Sequence, residues 1–331
     1  MSTSSHLENS SNGGVSSLST ALARIRRIQS THLPDVVLPL NETTWTSKGS
    51  LVILGLGEVS VSDWAREQLS SLLGIRYDRW FATATQPEQA DEMTRRLRRA
   101  RNKVRLRLVQ TANSPTLRAV VSPSYSATND STLLATVIDS LCGSNPQLHR
   151  LEMTERMTNI VFTIGEPQSR GGIVGAVWGA LTVTNSGVGW SGLSVVLSLI
   201  RQVCTNGMSA PVFEGQLVKV RHRALNIGSI RDLLRARLET ASEILLRAIS
   251  NLEASASWPV VNVEAEAREL LRERGMIRNH LAGVLSGFRH EPHRSVFGLS
   301  QAMTLHAQQV TPEDRITLET LAGSYVLRST P

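Results

Sequence analysis

The sequence predicts an α+β fold, with an antiparallel β-sheet core, flanking helices and a helical C-terminal part. Three observations predict it. Between about residues 100 and 223, apolar and polar residues alternate in short runs, the period of strands with one buried face. Beyond residue 226 the apolar spacing becomes helical. Strands therefore precede helices instead of alternating with them, which separates an α+β chain from a repeated βαβ chain. The expected organisation is a disordered tail over 1–20, an α+β core over 21–225 and a helical part over 226–331 packed on that core.

Residues 1–20 hold eight serines and little apolar material to offset the entropy of ordering. A short helix is expected over Leu22–Ile28, and Leu33–Leu40, with two prolines, reads as extended. Leu51–Leu54 reads as a strand. Asp63–Leu73 reads as a helix capped by Ser62 and ended by Gly74. The next helix begins near Pro87, because Thr85 and Glu88 have capping-box spacing and arginines crowd its end. Its Met93, Leu97 and Ala100 would face the core.

The period then changes. Val104, Leu106 and Leu108 alternate with Arg105 and Arg107, a turn follows over Thr111–Thr116, and Leu117–Val121 returns as the second strand of a hairpin. A helix over Leu133–Leu141 and strands over Leu148–Met153 and Thr158–Ile164 follow. From Gly171 to Ile200 there is no charged residue for 30 positions, which invites comparison with a membrane span. Seven glycines and a central Asn185-Ser186 favour a buried hairpin that turns over Asn185–Gly189. Leu217–Val220 continues the strands. A single apolar stripe then runs from Ile230 to Leu252 behind a Ser229 cap. Helices follow over Glu264–Arg274, Ile277–Phe288 and Pro312–Leu327, the last announced by Thr311-Pro312.

Composition narrows the function classes. The 331 residues are 41% hydrophobic but only 4% aromatic, so the core must be aliphatic. Two cysteines, Cys142 and Cys204, exclude a disulfide scaffold and a four-cysteine zinc site. With no basic-then-apolar leader at the start, a cytoplasmic location is expected. Of 35 basic residues only Lys48, Lys103 and Lys219 are lysine. Guanidinium groups suit phosphate and carboxylate.

The charge is concentrated. Arg95, Arg96, Arg98, Arg99, Arg101, Lys103, Arg105 and Arg107 place eight cations within thirteen residues and no carboxylate among them. Set against the net +7, they leave the rest of the chain at −1. One contiguous basic surface is expected, fit to neutralise several phosphates of a nucleic acid without reading its sequence. The plainer readings are a solvated helix end, or pairing with carboxylates such as Glu264, Glu266 and Glu269.

Three motif blocks stand out. The first is Leu117-Arg118-Ala119 with Ser122, Tyr125, Asn129 and Asp130. The second is Thr184-Asn185-Ser186, Gly189 and Arg201-Gln202-Val203-Cys204-Thr205-Asn206-Gly207-Met208. The third is Arg221-His222, with Thr304, Ala307, Arg315, Leu318-Glu319 and Ala322-Gly323 near the end. Together they resemble the phage/plasmid-like family known as domain of unknown function 932, over about residues 60–327. The resemblance implies a mobile-element protein concerned with DNA and no established reaction. The family often carries a glutamate after Asn-Ser, where this chain has Gly187.

Other residue constellations have the makings of chemical sites. Cys204 with His222 could form a thiolate nucleophile, against the plainer reading of Cys204 as a small core residue. Asn185, Ser186 and Gly189 could bind an anion through backbone N–H groups or simply close a hairpin. Arg118, Ser122, Tyr125 and Asn129 could form a polar cluster, with Arg118–Asp130 as a support pair. Arg118, Arg201, Arg221 and His222 could line a groove. His290, Glu291 and His293 have Pro292 among them and no third ligand at metal spacing, so no metal is expected. No phosphate-loop, dinucleotide or nucleophile-elbow motif occurs, so no cofactor is expected.

The leading expectation is a non-enzymatic DNA-associated protein, with no membrane partner and with homo-oligomerisation left open. The alternatives are an enzyme built on Cys204 and His222, acting on nucleic acid or a host protein, and an antagonist that docks on an acidic host factor.

Overall fold

In a computed structural model of the protein, the described residues are 17–81, 83–112, 114–126, 129–141, 146–171, 174–203, 206–222 and 226–329. They form a mixed α+β fold with two sheets and a helical C-terminal region.

The first helix, α1 (Leu18–Gln29), starts earlier than Leu22. Ser17 caps it by accepting from Thr20 N, so Ser17–Thr20 belong to the helix start and not to a tail. Residues 1–16, the rest of the expected tail, lie outside the described residues.

The N-terminal sheet is mixed and has the order β1-β5-β6-β4-β3-β2. Its strands are β1 (Val36–Pro39), β2 (Thr43–Trp45), β3 (Leu51–Ile53), β4 (Gly57–Val61), β5 (Lys103–Gln110) and β6 (Pro115–Val121). The β5–β6 hairpin forms as the alternation predicts, with Val104, Leu106 and Leu108 buried and Arg105 and Arg107 on the opposite face. The single sheet expected over 100–223 is divided, however. β5 and β6 join the earlier strands, with β1 antiparallel to β5 and β4 parallel to β6. Strands β2 and β4 are short and carry little periodic signal.

Two helices close this sheet's core. Helix α2 (Asp63–Leu72) has Ser62 as its cap, accepting from Ala65 N at 3.2 Å, and Gly74 takes φ +69° just past its end. Helix α3 (Gln86–Leu97) starts in the expected capping box, with Thr85 N donating to Glu88 at 2.7 Å. Leu69, Met93, Leu97 and Leu106 meet in one buried aliphatic cluster with Trp45 and Phe81. Burying each such side chain contributes roughly 1.5–3 kcal/mol.

Helix α4 (Asp130–Ser140) leads to the second sheet, which is wholly antiparallel and ordered β11-β10-β9-β8-β7. Its strands are β7 (Gln147–Met153), β8 (Thr158–Gly171), β9 (Gly175–Asn185), β10 (Leu193–Val203) and β11 (Asn206–Val220). The uncharged run becomes the β9–β10 hairpin, turning over Ser186–Gly192. Among the described residues no helix is long and apolar enough to cross a membrane.

Six helices follow: α5 (Ile227–Leu238), α6 (Ala241–Ser255), α7 (Val263–Arg272), α8 (Ile277–His290), α9 (Val296–Ala307) and α10 (Pro312–Arg328). Helices α5, α6, α9 and α10 pack on the second sheet, α7 and α8 pack on those helices, and all share one aliphatic core. The stripe expected as one helix is two, broken at Glu239-Thr240, and Asn226 caps α5 in place of Ser229. Helix α9, which no sequence feature announced, is buried along most of its length.

Candidate functional site

The eight cations of residues 95–107 are not one surface. Helix geometry turns Arg95 and Arg96 back onto Glu92, at 2.5 and 2.6 Å, and Arg96 also donates to Leu73 O and Gly74 O at the end of α2. These hydrogen bonds, Arg95's first, hold the Glu92 carboxyl below its ordinary pKa. Strand alternation sends Arg105 and Arg107 to the sheet face opposite the core, where both reach Asp35, at 3.5 and 3.2 Å. Between these two tied pairs lie Arg98, Arg99, Arg101 and Lys103. They are exposed around the turn from α3 into β5, and none makes an ion pair among the described residues.

Arg107 leads to a second locus, a polar junction between the two sheets. Its Nη1 donates to the carbonyl of Gly187 in the β9–β10 turn. Tyr125 Oη donates to Ser186 O at 2.5 Å and accepts from Gly189 N at 3.2 Å. Trp64 Nε1 and Gln68 Nε2 both donate to Val188 O. Ala119, Val121 and Val188 form a small apolar cluster beneath these bonds. Thus the Asn-Ser turn docks on the outer face of β5 and β6.

Arg118 lies at the centre of this junction. Its Nη1 meets Nε2 of His32, and no carboxylate lies within ion-pair distance of it among the described residues. The expected Arg118–Asp130 pair does not form. Asp130 instead accepts from Thr158 Oγ1, at 2.8 Å, and from Asn185 Nδ2. Burial first, and the neighbouring Arg107 second, lower the Arg118 pKa to about 10. Burial, then Arg118 and Arg107, lower that of His32 from 6.5 to about 4, so its ring is neutral at physiological pH. Burial raises Tyr125 to about 12.

His222 closes the junction, with its ring centroid 5.1 Å from that of Tyr125. It is 4% exposed, with the Ser126 backbone at one ring nitrogen at most and the other without a hydrogen-bond partner among the described residues. Burial lowers its pKa. Ser122 and Asn129 stay exposed nearby, Ser122 bonding Ser124 Oγ at 2.9 Å and Asn129 preceding α4. Arg221 is exposed.

Other predicted residues lie elsewhere. Arg201 lies seven residues along β10 from Ser194, or about 23 Å. There it donates to Val174 O and Gln301 Oε1 and sits over the Phe297 ring, so it lines no groove with Arg118 and His222. Cys204 and Cys142 lie outside the described residues, as does the side chain of Asn206. Val203 and Asn206 pair at one end of the β10–β11 hairpin, whereas His222 follows Val220 at the other end. His290 bonds Ser286 O, and among the described residues no group of three metal-ligating side chains could hold a metal ion.

Arg315 and Glu319 of the third motif block belong to a buried ion-pair network. Arg150 grips Glu319 with both ends of its fork, each at 2.8 Å, and Arg315 pairs with Glu152. Burial opposes the Arg150 charge, but Glu319 overrides it and its pKa is raised.

Sequence reasoning missed His32 and Asp35 altogether. Both precede a short edge strand, and only the pairing of β1 with β5, with the His32–Val109 bridge beside it, brings them to Arg107 and Arg118. No family model, curated protein or solved structure matches the chain.

Proposed function

We propose that the protein binds the phosphate backbone of nucleic acid, as a non-enzymatic DNA-associated protein of a mobile element. The observation that carries this reading is the turn from α3 into β5. Arg98, Arg99, Arg101 and Lys103 are exposed there, and no carboxylate pairs with them among the described residues. Cations so placed release counterions from a phosphate chain on contact, and they position it without reading bases. The binding surface is therefore smaller than the eight-residue run. Arg95 and Arg96 share one carboxylate, and Arg105 and Arg107 serve the junction. The mobile-element setting comes from the family resemblance, and single-strand handling in replication, transfer or recombination is the role it suggests.

The test is an anisotropy titration of single-stranded and duplex oligonucleotides at several salt concentrations. Changing Arg98, Arg99, Arg101 and Lys103 together to Ala should weaken binding. It should also flatten the duplex log–log salt slope by up to about 3.6, at about 0.9 per phosphate contact. Changing Arg95 and Arg96 to Ala should do less. Equal affinity and slope in the wild type and the fourfold variant would refute the proposal.

A further inference from the structure

We infer that the junction between the sheets is a binding site for one phosphate group, held by Arg107 and Arg118 in front of Gly187. The surface at the end of α3 plays no part in it.

The charge balance points there first. Arg105, Arg107 and Arg118 converge on this face of β5 and β6, and Asp35 serves the first two. Asp130, the other carboxylate near Arg118, is held by Thr158 and Asn185. His32, neutral under the influence of its surroundings, brings no balancing charge. Arg118 is thus a largely desolvated guanidinium beside a second guanidinium and without an ion-pair partner among the described residues. A charge in that condition is costly unless an anion accompanies it.

The space is the second observation. A Cβ placed on Gly187 would lie 3.4 Å from Arg107 Nη1 and 3.6 Å from Arg118 Nη2. Both guanidinium groups therefore border the position where any other residue would start its side chain. Gly187 leaves that position without a side chain, and no other side chain is placed within 4 Å of it among the described residues. His222 supplies the third observation, a buried ring beside Tyr125 and within the field of Arg107, with the Ser126 backbone at one nitrogen at most and the other unpartnered among the described residues. Two forked cations and one open imidazole nitrogen match the several oxygens of a phosphate. The phosphate could be free, as inorganic phosphate or a nucleotide, or it could be the end of a nucleic-acid strand.

Calorimetric titration of the full chain with inorganic phosphate tests this, with acetate at matched ionic strength as the control. The wild type should bind one equivalent of phosphate and prefer it to acetate. Arg118→Gln should weaken binding by about tenfold or more, the usual scale for losing a charged hydrogen bond. Gly187→Glu carries the test should that variant fail to fold. Its tethered carboxylate should occupy the site, raise the thermal midpoint in phosphate-free buffer and abolish phosphate binding. No phosphate binding by the wild type, or equal binding by the wild type and Gly187→Glu, would overturn the inference. Oligonucleotides with a 5′-phosphate or a 5′-hydroxyl separate the sources. A 5′-phosphate preference that is lost in Gly187→Glu marks a strand end, whereas phosphate binding with no such preference marks a free phosphate.

Discussion

Two regions of the molecule bury arginine in opposite ways. Behind the second sheet, Arg150 and Arg315 are matched one for one by Glu319 and Glu152. Asn159 donates to Glu152 at 3.3 Å, and Thr184 donates to Asn159 at 3.2 Å, extending the bonded chain. At the junction, Arg107 has half of a carboxylate and Arg118 has a neutral histidine. The first arrangement is complete and holds α10 to the sheet. The second is charged beyond its own counterions. The contrast separates guanidinium groups that hold the fold together from those that await an anion.

The sharpest way to break the comparison is to truncate both arginines to the same apolar residue. Arg150→Met strands Glu319, which is 2% exposed, and should cost about 3–5 kcal/mol. Arg118→Met strands no carboxylate, and without phosphate it should change stability by less than about 1 kcal/mol. Urea unfolding at constant m-value measures both. Equal costs would show that Arg118 is also a purely structural group.

The next effect is on pH. His32 resists protonation in the folded protein down to about pH 4, whereas the unfolded chain takes up that proton below about 6.5. Between these values the unfolded state binds more protons, so stability falls as pH falls, and this contribution levels off below about 4. His149, His222 and His306 are lowered too and act in the same direction. The readout is therefore a difference. His32→Gln should show a shallower loss of stability than the wild type across that window in a pH series of urea unfolding curves.

The smallest effect concerns the exposed turn. Changing Arg98, Arg99, Arg101 and Lys103 together to Ala should move the unfolding free energy by less than about 0.5 kcal/mol per site while weakening oligonucleotide binding. A large loss of stability would mean that these cations support the fold after all.

The local elements were legible because local chemistry specifies them. The Thr85–Glu88 box, the Val104–Leu108 alternation and Thr311-Pro312 each form as read. Helix α9 escaped because it is buried on nearly every side, which leaves no polar face to mark a period. The break between α5 and α6 escaped because Glu239 and Thr240 keep near-helical backbone angles and the apolar stripe runs on through them. The parallel pairing of β4 with β6 joins Ser60 to Thr116, a separation that no local pattern reports. The same limit applies to the site. Residues 95–107 are contiguous in sequence, but helix turn and strand pleat distribute them among three environments. Arg118 and His222 are legible as motif residues, whereas His32 and Asp35 reach the junction only through the register of β1 on β5.

The strand order of the first sheet also dictates when it can assemble. β1 takes its place beside β5, and β4 lies between β3 and β6, so β1 has no neighbour and β4 has only β3 until the β5–β6 hairpin exists. On a ribosome, the segment through Val61 must wait for Val121 to clear the exit tunnel before that sheet can close. A nascent chain arrested earlier would present β1 and β4 as open edges, the form in which chaperones would meet it.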